Sequence, residues 1–428
     1  MSHQQIVVLG AGMVGVSIAW HLAKRGHDVS LVDRRPPGRE TSFGNAGIIQ
    51  REAVRPYPFP RDMKTLLSVL PNRRVDIRYR PGGMMQSASP LLRYWQNSAP
   101  KVYQRIVPEY ASLIQLSLQE HGPMIEDAQA EKLIRRDGWL ELYRTPKKLE
   151  QRLREAEEGR ERFDVQFRHL DRLELALKEP NLSDAIVGAV HWLDSWTVAD
   201  PGALVEAYAR AFETRGGRIV QADIESVTKE RGRWRVTTKP VSSDSSSSES
   251  TQSVCLEADQ VVVALGPWAG DWLKGLGYDF PVFVKRGYHM HYATQKAAHL
   301  NHWVMDAEVG YLLAPMQAGI RLTTGAELDR ITAPPHESQL EAAEKEARKL
   351  FPLGARRDSV AWKGARPCLP DMKPVIGPAP GHEGLWLAFG HGHQGFTLGP
   401  ATGRLMAEMM AGETPAVNMA PFRADRFR

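Results

Sequence analysis

The stretch that decides the fold is Ile6-Val7-Val8-Leu9-Gly10-Ala11-Gly12-Met13-Val14-Gly15. Its four consecutive apolar residues predict a short buried strand, and its glycines fit the pattern G-x-G-x-x-G. Gly10 permits a tight turn, Gly12 lets the backbone approach a pyrophosphate, and Gly15 lets a helix pack on the strand. The stretch therefore predicts the start of a dinucleotide-binding βαβ unit.

The residues downstream complete this unit. Val14 to Arg25 have helical apolar spacing, and Val29 to Val32 form a second strand that ends at Asp33. The N-terminus of the helix offers free N–H groups to phosphates, and Asp33 stands near the expected spacing of about 20 residues for a ribose-binding carboxylate. The unit alone does not separate NAD from FAD, since Arg34 next to Asp33 also suits a 2′-phosphate.

Three later stretches favour FAD. Thr41 to Gly47 (TSFGNAG) carries small residues and hydroxyls that can line a diphosphate and pass close to a flavin ring. Val261 to Trp268 is a buried strand followed by a tight turn. Gly390 to Thr397 leads into the last helix, whose N–H groups could stabilise negative charge on the flavin pyrimidine ring.

On these stretches, and on Asp200-Pro201, the chain resembles the D-amino acid oxidase/dehydrogenase family of FAD-dependent amine oxidoreductases, and looks closest to bacterial D-amino acid dehydrogenases. The most telling stretch is WKGARPCLPD (Trp362 to Asp371) followed by PVIG (Pro374 to Gly377), which is similar to the family pattern W-x-G-x-R-P-x-T-P-D-x-x-P-x-I-G. Leu369 replaces the usual Thr. The resemblance covers nearly the whole chain.

The resemblance implies an α/β fold in which a Rossmann-like FAD-binding domain is interleaved with an α+β substrate domain built on a mixed, largely antiparallel sheet. The expected FAD-binding domain comprises residues 1–55, 196–278 and 357–428, and the substrate domain residues 56–195 and 279–356. The serine-rich run at 242–253 is expected to be a flexible insertion without a catalytic role.

The resemblance also implies the site residues. Arg366 would grip the substrate carboxylate, which suits a planar guanidinium. Tyr288 and Tyr311 would complete the pocket, and His393 would lie near the flavin and the substrate. The expected FAD contacts are Gly10, Gly12, Gly15, Asp33, Arg34, Thr41, Ser42, Asn45, Ala46, Gly47, Val227, Ala264, Gly266, Trp268, Gly392, His393, Gln394, Gly395, Phe396 and Thr397.

The FAD is expected to be noncovalent, because the cysteine that carries flavin in sarcosine oxidases would fall at Gly364. No metal site is expected, since the chain has no H-E-x-x-H motif and its only cysteines are Cys255 and Cys368. Two cysteines also exclude a disulfide framework.

The implied reaction is oxidation of a D-amino acid by hydride transfer from the α-carbon to flavin N5, with no side chain assigned as general base. D-Alanine-like substrates are the default, and proline-like ones such as D-hydroxyproline are a second option. Electrons would pass to a quinone or an electron-transport chain. Three alternatives stay open: an oxygen-using glycine/sarcosine-type oxidase, an NAD(P)-dependent dehydrogenase, and a non-catalytic FAD-binding subunit.

Composition limits the partners. The 55 basic and 50 acidic residues leave a charge of +5, and no nucleic acid partner is expected without a long basic run or binding module. The N-terminus lacks signal-peptide features and no apolar run could span a bilayer, so a cytoplasmic location is expected, with peripheral contact at the inner face of the cell membrane left open. Ala53 to Pro60, rich in proline, should be extended and is a candidate lid.

Overall fold

The computed structural model describes residues 3–241 and 253–427, so the serine-rich run lies outside the described residues except for Ser253. The helices in these ranges are α1 (Met13–Lys24), α2 (Met63–Val69), α3 (Pro81–Gln86), α4 (Ala88–Asn97), α5 (Pro100–Gln115), α6 (Ser117–Asp127), α7 (Pro146–Phe163), α8 (Arg172–Lys178), α9 (Pro201–Thr214), α10 (Ala269–Lys274), α11 (Ser338–Leu350) and α12 (Gly395–Met410).

The strands in the same ranges are β1 (Gln5–Leu9), β2 (Asp28–Asp33), β3 (Ile48–Ile49), β4 (Ile77–Tyr79), β5 (Ile134–Arg135), β6 (Trp139–Tyr143), β7 (Phe167–Asp171), β8 (Gly188–Trp192), β9 (Trp196–Val198), β10 (Arg218–Gln221), β11 (Asp223–Glu230), β12 (Arg233–Lys239), β13 (Cys255–Ala258), β14 (Gln260–Val263), β15 (Phe283–Thr294), β16 (Val304–Asp306), β17 (Tyr311–Met316), β18 (Gly319–Thr324), β19 (Ala326–Leu328), β20 (Leu353–Arg356), β21 (Trp362–Cys368), β22 (Val375–Pro378) and β23 (Leu385–Phe389).

A six-stranded sheet with the order β10-β2-β1-β14-β23-β22 contains the glycine-rich turn. Its strands are parallel except β22, which runs antiparallel to β23. Both faces are covered: Ile6 and Val8 of β1 belong to one apolar core, whereas Val7 and Leu9 belong to another. This double burial explains why β1 reads as a continuous apolar run rather than an alternating one.

The larger sheet has eleven strands, with β4-β19-β15-β18-β17-β16-β6-β8-β7 as its path and β20 and β21 paired to β15. Strand β15 is its longest, with twelve residues. One face of this sheet packs on α11 through a core that includes Leu322, Leu340 and Leu353. The mixed α/β architecture with a Rossmann-like sheet is the fold class expected from the sequence.

Strand β21 belongs to the larger sheet by pairing, although residues 357–428 were expected in the FAD-binding domain. It runs antiparallel to β15 from Phe283 opposite Cys368 to His289 opposite Trp362. The next strand, β22, pairs instead with β23 of the six-stranded sheet. The pairing of β21 with β15 places Arg366 in the larger sheet, opposite Lys285.

Local sequence patterns predicted the starts of two helices to within one residue. The α1 helix begins one residue before the predicted Val14, and α9 is capped by Asp200, whose side chain accepts a hydrogen bond from the Ala203 N–H. Residues 53–60 contain no helix or strand, as predicted. Among the described residues, no helix is long and apolar enough to cross a membrane.

Candidate active site

A cavity of about 870 Å³ contacts both sheets. From the six-stranded sheet it is lined by the glycine turn after β1, the end of β2 and the turn after β14. From the larger sheet it is lined by parts of β15, β17, β18 and β21. The loop that leads into α12 also contributes, with Gly392, His393, Gly395 and Phe396. A cavity of this volume, lined by residues from both sheets, suits a large cofactor together with a small substrate.

Two of the three glycines in the first turn are required by packing. A Cβ on Gly10, whose φ is +106°, would lie 2.4 Å from the carbonyl oxygen of Ala264, and a Cβ on Gly15 would lie 1.7 Å from that of Gly10. At Gly12 the nearest atom is Ser42 Oγ at 3.4 Å, and this residue lines the cavity. Backbone at Gly12 and the N-terminus of α1 can therefore approach a diphosphate.

Asp33 and Arg34 form the end of the cavity expected to hold a ribose. Asp33 Oδ2 accepts a hydrogen bond from Ala11 N at 2.7 Å, and burial raises the pKa of this carboxyl. Each carboxylate oxygen retains a further lone pair for a hydroxyl. The Arg34 guanidinium donates to Glu40 Oε1 and lies 4.5 Å above the Trp268 ring. Because Arg34 is already paired with a carboxylate, this end of the cavity suits the ribose of FAD better than a ribose that carries a 2′-phosphate.

The segment Thr41 to Gly47 is fixed from two sides. Ser42 Oγ accepts a hydrogen bond from Met13 N at 3.0 Å, which ties the segment to the start of α1. A Cβ on Gly44 would lie 2.0 Å from the Trp362 ring, so only glycine lets this segment pass β21 so closely. The segment is thus held as a rigid wall of the cavity.

Arg321 of β18 anchors the same segment and was missed from the sequence. Its Nη1 donates to the carbonyl oxygens of Phe43 at 3.2 Å and Asn45 at 2.7 Å, while its Nε donates to His291 Nε2 at 2.9 Å. Burial lowers the pKa of Arg321 to about 10. The available signal was a single arginine inside the otherwise apolar or hydroxyl-bearing strand Gly319–Thr324.

Arg366 lies in a cradle made by glycine. A Cβ on Gly287 would lie 2.5 Å from Arg366 Nη2, so the guanidinium occupies the space of the missing side chain. Arg366 Nη1 donates to the Gly325 carbonyl at 2.9 Å. Burial lowers the pKa of Arg366, and the charged groups acting on it within the described residues include no carboxylate. The guanidinium therefore offers its charge to the cavity.

Four further side chains line the cavity with Arg366. The His393 ring lies 4.9 Å from the ring of Tyr57, and Lys285 and Cys368 flank them. Burial lowers the pKa of His393 to about 3, and the positive charges of Arg366 and Lys285 add to this effect. His393 is thus neutral at physiological pH. Lys285 was not predicted, because its place follows from strand pairing and not from a local motif.

The cavity brings together most of the predicted site residues. Those that line it are Gly10, Gly12, Asp33, Arg34, Thr41, Ser42, Asn45, Ala46, Ala264, Gly266, Trp268, Tyr311, Arg366, Gly392, His393, Gly395 and Phe396. Gly15 and Gly47 instead pack against backbone, and Val227, a residue of β11, is buried in an apolar core. Gln394 and Thr397 bond to Gln50, which itself lines the cavity.

Tyr288 does not fit its expected place in the substrate pocket. Side chains alternate along β15, so Lys285 and Gly287 face the cavity while Arg286 and Tyr288 face away. The Tyr288 hydroxyl donates to Glu327 Oε2 at 2.6 Å and accepts from Arg286 Nη2 at 2.7 Å. Tyr288 therefore belongs to a buried structural network behind the sheet.

The part of the chain that the structure describes contains no group of three or more His, Cys, Asp or Glu side chains placed to hold a metal ion.

Comparisons with known proteins agree with this geometry. The model of a family described as FAD dependent oxidoreductase matches residues 5–409. A D-amino acid dehydrogenase of Rhizobium johnstonii is 30% identical over 440 residues, which cover 99% of this chain and 100% of the relative. A D-amino-acid oxidase of Bradyrhizobium diazoefficiens is 26% identical and covers 99% of each chain.

Solved structures share the fold. An L-proline dehydrogenase from P. horikoshii superposes with a TM-score of 0.72 at 18% identity, covering 100% of this chain and 98% of that one. A glycine oxidase from Geobacillus kaustophilus gives 0.70 at 20% identity, covering 99% and 98%. Since the family model spans nearly the whole chain and its cofactor fits the cavity, the chain belongs to the FAD dependent oxidoreductases and is an enzyme.

Proposed function

We propose that this enzyme oxidises a D-amino acid to its imine, with Arg366 holding the substrate carboxylate. The observation that carries the proposal is the Arg366 guanidinium, which lines the flavin cavity and has no carboxylate among the charged groups acting on it within residues 3–241 and 253–427. A bidentate carboxylate would supply the missing charge and fix the α-carbon.

FAD supplies the hydride acceptor, and the chain supplies binding and orientation. Gly12 and the N-terminus of α1 would hold the diphosphate, and Asp33 the ribose. Backbone N–H groups from Gly392 to Phe396 would lie near the flavin, and this loop is tied to β21 because Gly392 N donates to the Pro367 carbonyl at 2.7 Å. The loop and Arg366 are thus positioned by the same strand.

The substrate amine must lose a proton before the hydride leaves. Arg366 and Lys285 place two positive charges at this end of the cavity, and they would lower the pKa of a bound ammonium. Neutral His393 could accept a hydrogen bond from the amine. We therefore assign no side chain as an obligatory general base.

The D-configuration is supported by the names of relatives, several of which are D-amino acid dehydrogenases at 27–30% identity over almost the whole chain. The solved structures include L-specific names at about 18% identity, which speak for the fold alone. D-Hydroxyproline and other proline-like substrates remain within the proposal.

The FAD is proposed to be noncovalent. Cys368 is the one cysteine that lines the cavity among the described residues. Burial raises the pKa of its thiol, which keeps it a poor nucleophile.

The electron acceptor is proposed to be a quinone or electron-transport component reached at a membrane surface. Exposed large apolar side chains concentrate between residues 63 and 95, and we call this set the 63–95 surface: Met63, Leu67, Leu70, Met85, Leu92 and Trp95. Met63 and Leu67 share one face of α2, a helix with no buried residue, and Leu70 is the residue that caps its C-terminus. Lys64, Arg73 and Arg93 are exposed in the same segment. Apolar and basic side chains together suit an anionic lipid surface.

Vesicle co-sedimentation tests this contact. The holoenzyme should bind vesicles containing phosphatidylglycerol and not those of phosphatidylcholine alone. Changing Met63, Leu67 and Leu70 to serine should abolish binding, whereas a matched control that changes the exposed Leu173 and Leu177 of α8 to serine should not. Equal binding by both variants, or none by the wild type, contradicts the membrane contact.

The reaction itself is tested by mixing the purified holoenzyme anaerobically with a panel of D- and L-amino acids. Loss of the oxidised flavin absorbance with D-isomers supports the proposal, and loss with L-isomers alone refutes it. Reoxidation by oxygen, compared with a soluble quinone, separates the dehydrogenase from the oxygen-using oxidase.

A further inference from the structure

We propose that Lys285 is a second substrate anchor, which selects amino acids whose side chains carry an oxygen acceptor, either a carboxylate or a hydroxyl. The inference rests on the proposed function, because it assumes that Arg366 takes the α-carboxylate. It adds the class of side chain that this particular chain would prefer.

Strand pairing places the two cations together. Lys285 lies directly opposite Arg366 in the antiparallel pair of β15 and β21. Directly opposite residues project to the same face of a sheet, with Cβ atoms about 5 Å apart. Both side chains line the cavity. Gly287, two residues after Lys285 on β15, has no side chain, and the Arg366 guanidinium fills the space that this leaves.

The contacts of Lys285 within the described residues are neutral. Its Nζ donates to the Tyr94 hydroxyl at 3.1 Å and lies 4.5 Å from the centre of that ring. The Tyr94 hydroxyl in turn donates to the carbonyl of Tyr57. An ammonium has three N–H donors, so two remain for other partners. Cys368, another ionisable neighbour, is held as a thiol by burial, which raises its pKa.

A neighbouring arginine shows what a satisfied cation looks like in the same strand. Arg286 faces away from the cavity and pairs with Glu327 Oε2 at 2.6 Å and with Asp329 Oδ2 at 3.5 Å. Lys285 has no such carboxylate in the part of the chain described. A cation enclosed without a counter-charge is costly, and this favours a partner that arrives with the substrate.

The charge count then points to the substrate side chain. An amino acid brings one carboxylate, which Arg366 would hold, and Lys285 is left without an anion. A side-chain carboxylate would neutralise it, and a hydroxyl would accept one of its hydrogen bonds. A site built around a polar partner discriminates against analogues that lack it, because the polar group is then left unpaired.

The test compares substrates that differ in the acceptor, using kcat/KM of the wild-type holoenzyme. The pairs are 4-hydroxy-D-proline with D-proline, D-threonine with D-valine, and D-glutamate with D-norvaline. We expect the acceptor-bearing member to be preferred at least about tenfold in one or more pairs. Preference confined to the first two pairs identifies the acceptor as a hydroxyl, and preference confined to the third identifies a carboxylate.

Lys285→Met should remove this preference, because it should lower kcat/KM at least about tenfold more for the acceptor-bearing member of the preferred pair than for the apolar member. Lys285→Arg should restore part of the preference. Lys363→Met is the matched control: its Nζ bonds to the Ala333 carbonyl outside the cavity lining, and the preference should stay.

A measurement on the wild type alone guards against a variant that does not fold. Perturbation of the flavin spectrum should show glutarate binding at least about tenfold more tightly than butyrate when the acceptor is a carboxylate, and 4-hydroxybutyrate binding more tightly than butyrate when it is a hydroxyl. No preference in any substrate pair, or equal losses for both members in Lys285→Met, overturns the inference while the proposed function stands. Failure of every amino acid to reduce the flavin overturns the proposed function and, with it, the inference.

Discussion

Gly287→Ala should disable the carboxylate anchor without unfolding the protein. The new Cβ would lie 2.5 Å from Arg366 Nη2 and 2.8 Å from its Cζ, where ordinary contacts begin at 3.4 Å. The guanidinium must therefore shift by about 1 Å. Because it is the end of a flexible side chain, it can shift without a large cost in folding free energy.

A misplacement of this size at a positioning group costs up to about 100-fold in rate. Loss of one charge-assisted hydrogen bond costs about 1.5–3 kcal/mol, which is about 10- to 150-fold. We therefore expect kcat/KM for a D-amino acid to fall about 10- to 100-fold in Gly287→Ala, with unchanged flavin content and melting temperature. Steady-state kinetics with the reducible amino acid measures this.

Gly122→Ala is the matched control, because Gly122 lies in helix α6 with no atom within 4 Å of the new Cβ. This variant should keep wild-type kinetics. A Gly287→Ala enzyme with kcat/KM within twofold of the wild type, at equal flavin content, would refute the reasoning that Arg366 holds the substrate in its present place.

Three further predictions concern the cofactor and stability. Arg321→Met should weaken FAD binding about tenfold, because the carbonyls of Phe43 and Asn45 lose a buried donor. Fluorescence titration of the apoprotein with FAD measures the Kd, and Arg348→Met on α11 is the control. An unchanged Kd in Arg321→Met would contradict the prediction. Acid precipitation should release all the flavin into the supernatant, and a yellow pellet would show a covalent bond. Burial lowers the pKa of His121 to about 4, below its ordinary 6.5. The unfolded chain therefore binds one more proton than the folded chain between these values, and the free energy of unfolding should fall as the pH drops from about 6.5 towards 4. Melting temperatures of the wild type and His121→Gln at pH 7.5, 6.5 and 5.5 test this, and an equal dependence of melting temperature on pH in the two proteins would contradict it.

Local sequence signals predicted the cofactor half of the site. The strand, turn and helix from Gln5 to Lys24 follow from apolar run, glycine spacing and helical periodicity, all of which act over a few residues. Asp200 and Pro201 likewise predicted the start of α9. Arg366 could be identified because it lies inside a contiguous motif.

The substrate half depended on contacts between residues far apart in the chain. Whether Lys285 or Tyr288 faces the cavity is decided by one step of register in β15, and a one-residue change exchanges the two faces. Arg321 acts on a segment more than 270 residues away. A short sequence motif reveals neither which residues of β15 face the cavity beside β21 nor which distant carbonyls Arg321 bonds to.

The most direct test of the account is anaerobic stopped-flow reduction of the flavin by both enantiomers of one amino acid, in the wild type, Arg366→Met and Arg366→Lys. We predict reduction by the D-isomer only. At low substrate concentration the rate should fall at least about 100-fold in Arg366→Met and less in Arg366→Lys, with full flavin content in all three. Reduction by the L-isomer alone, or equal rates in wild type and Arg366→Met, would contradict the central claim.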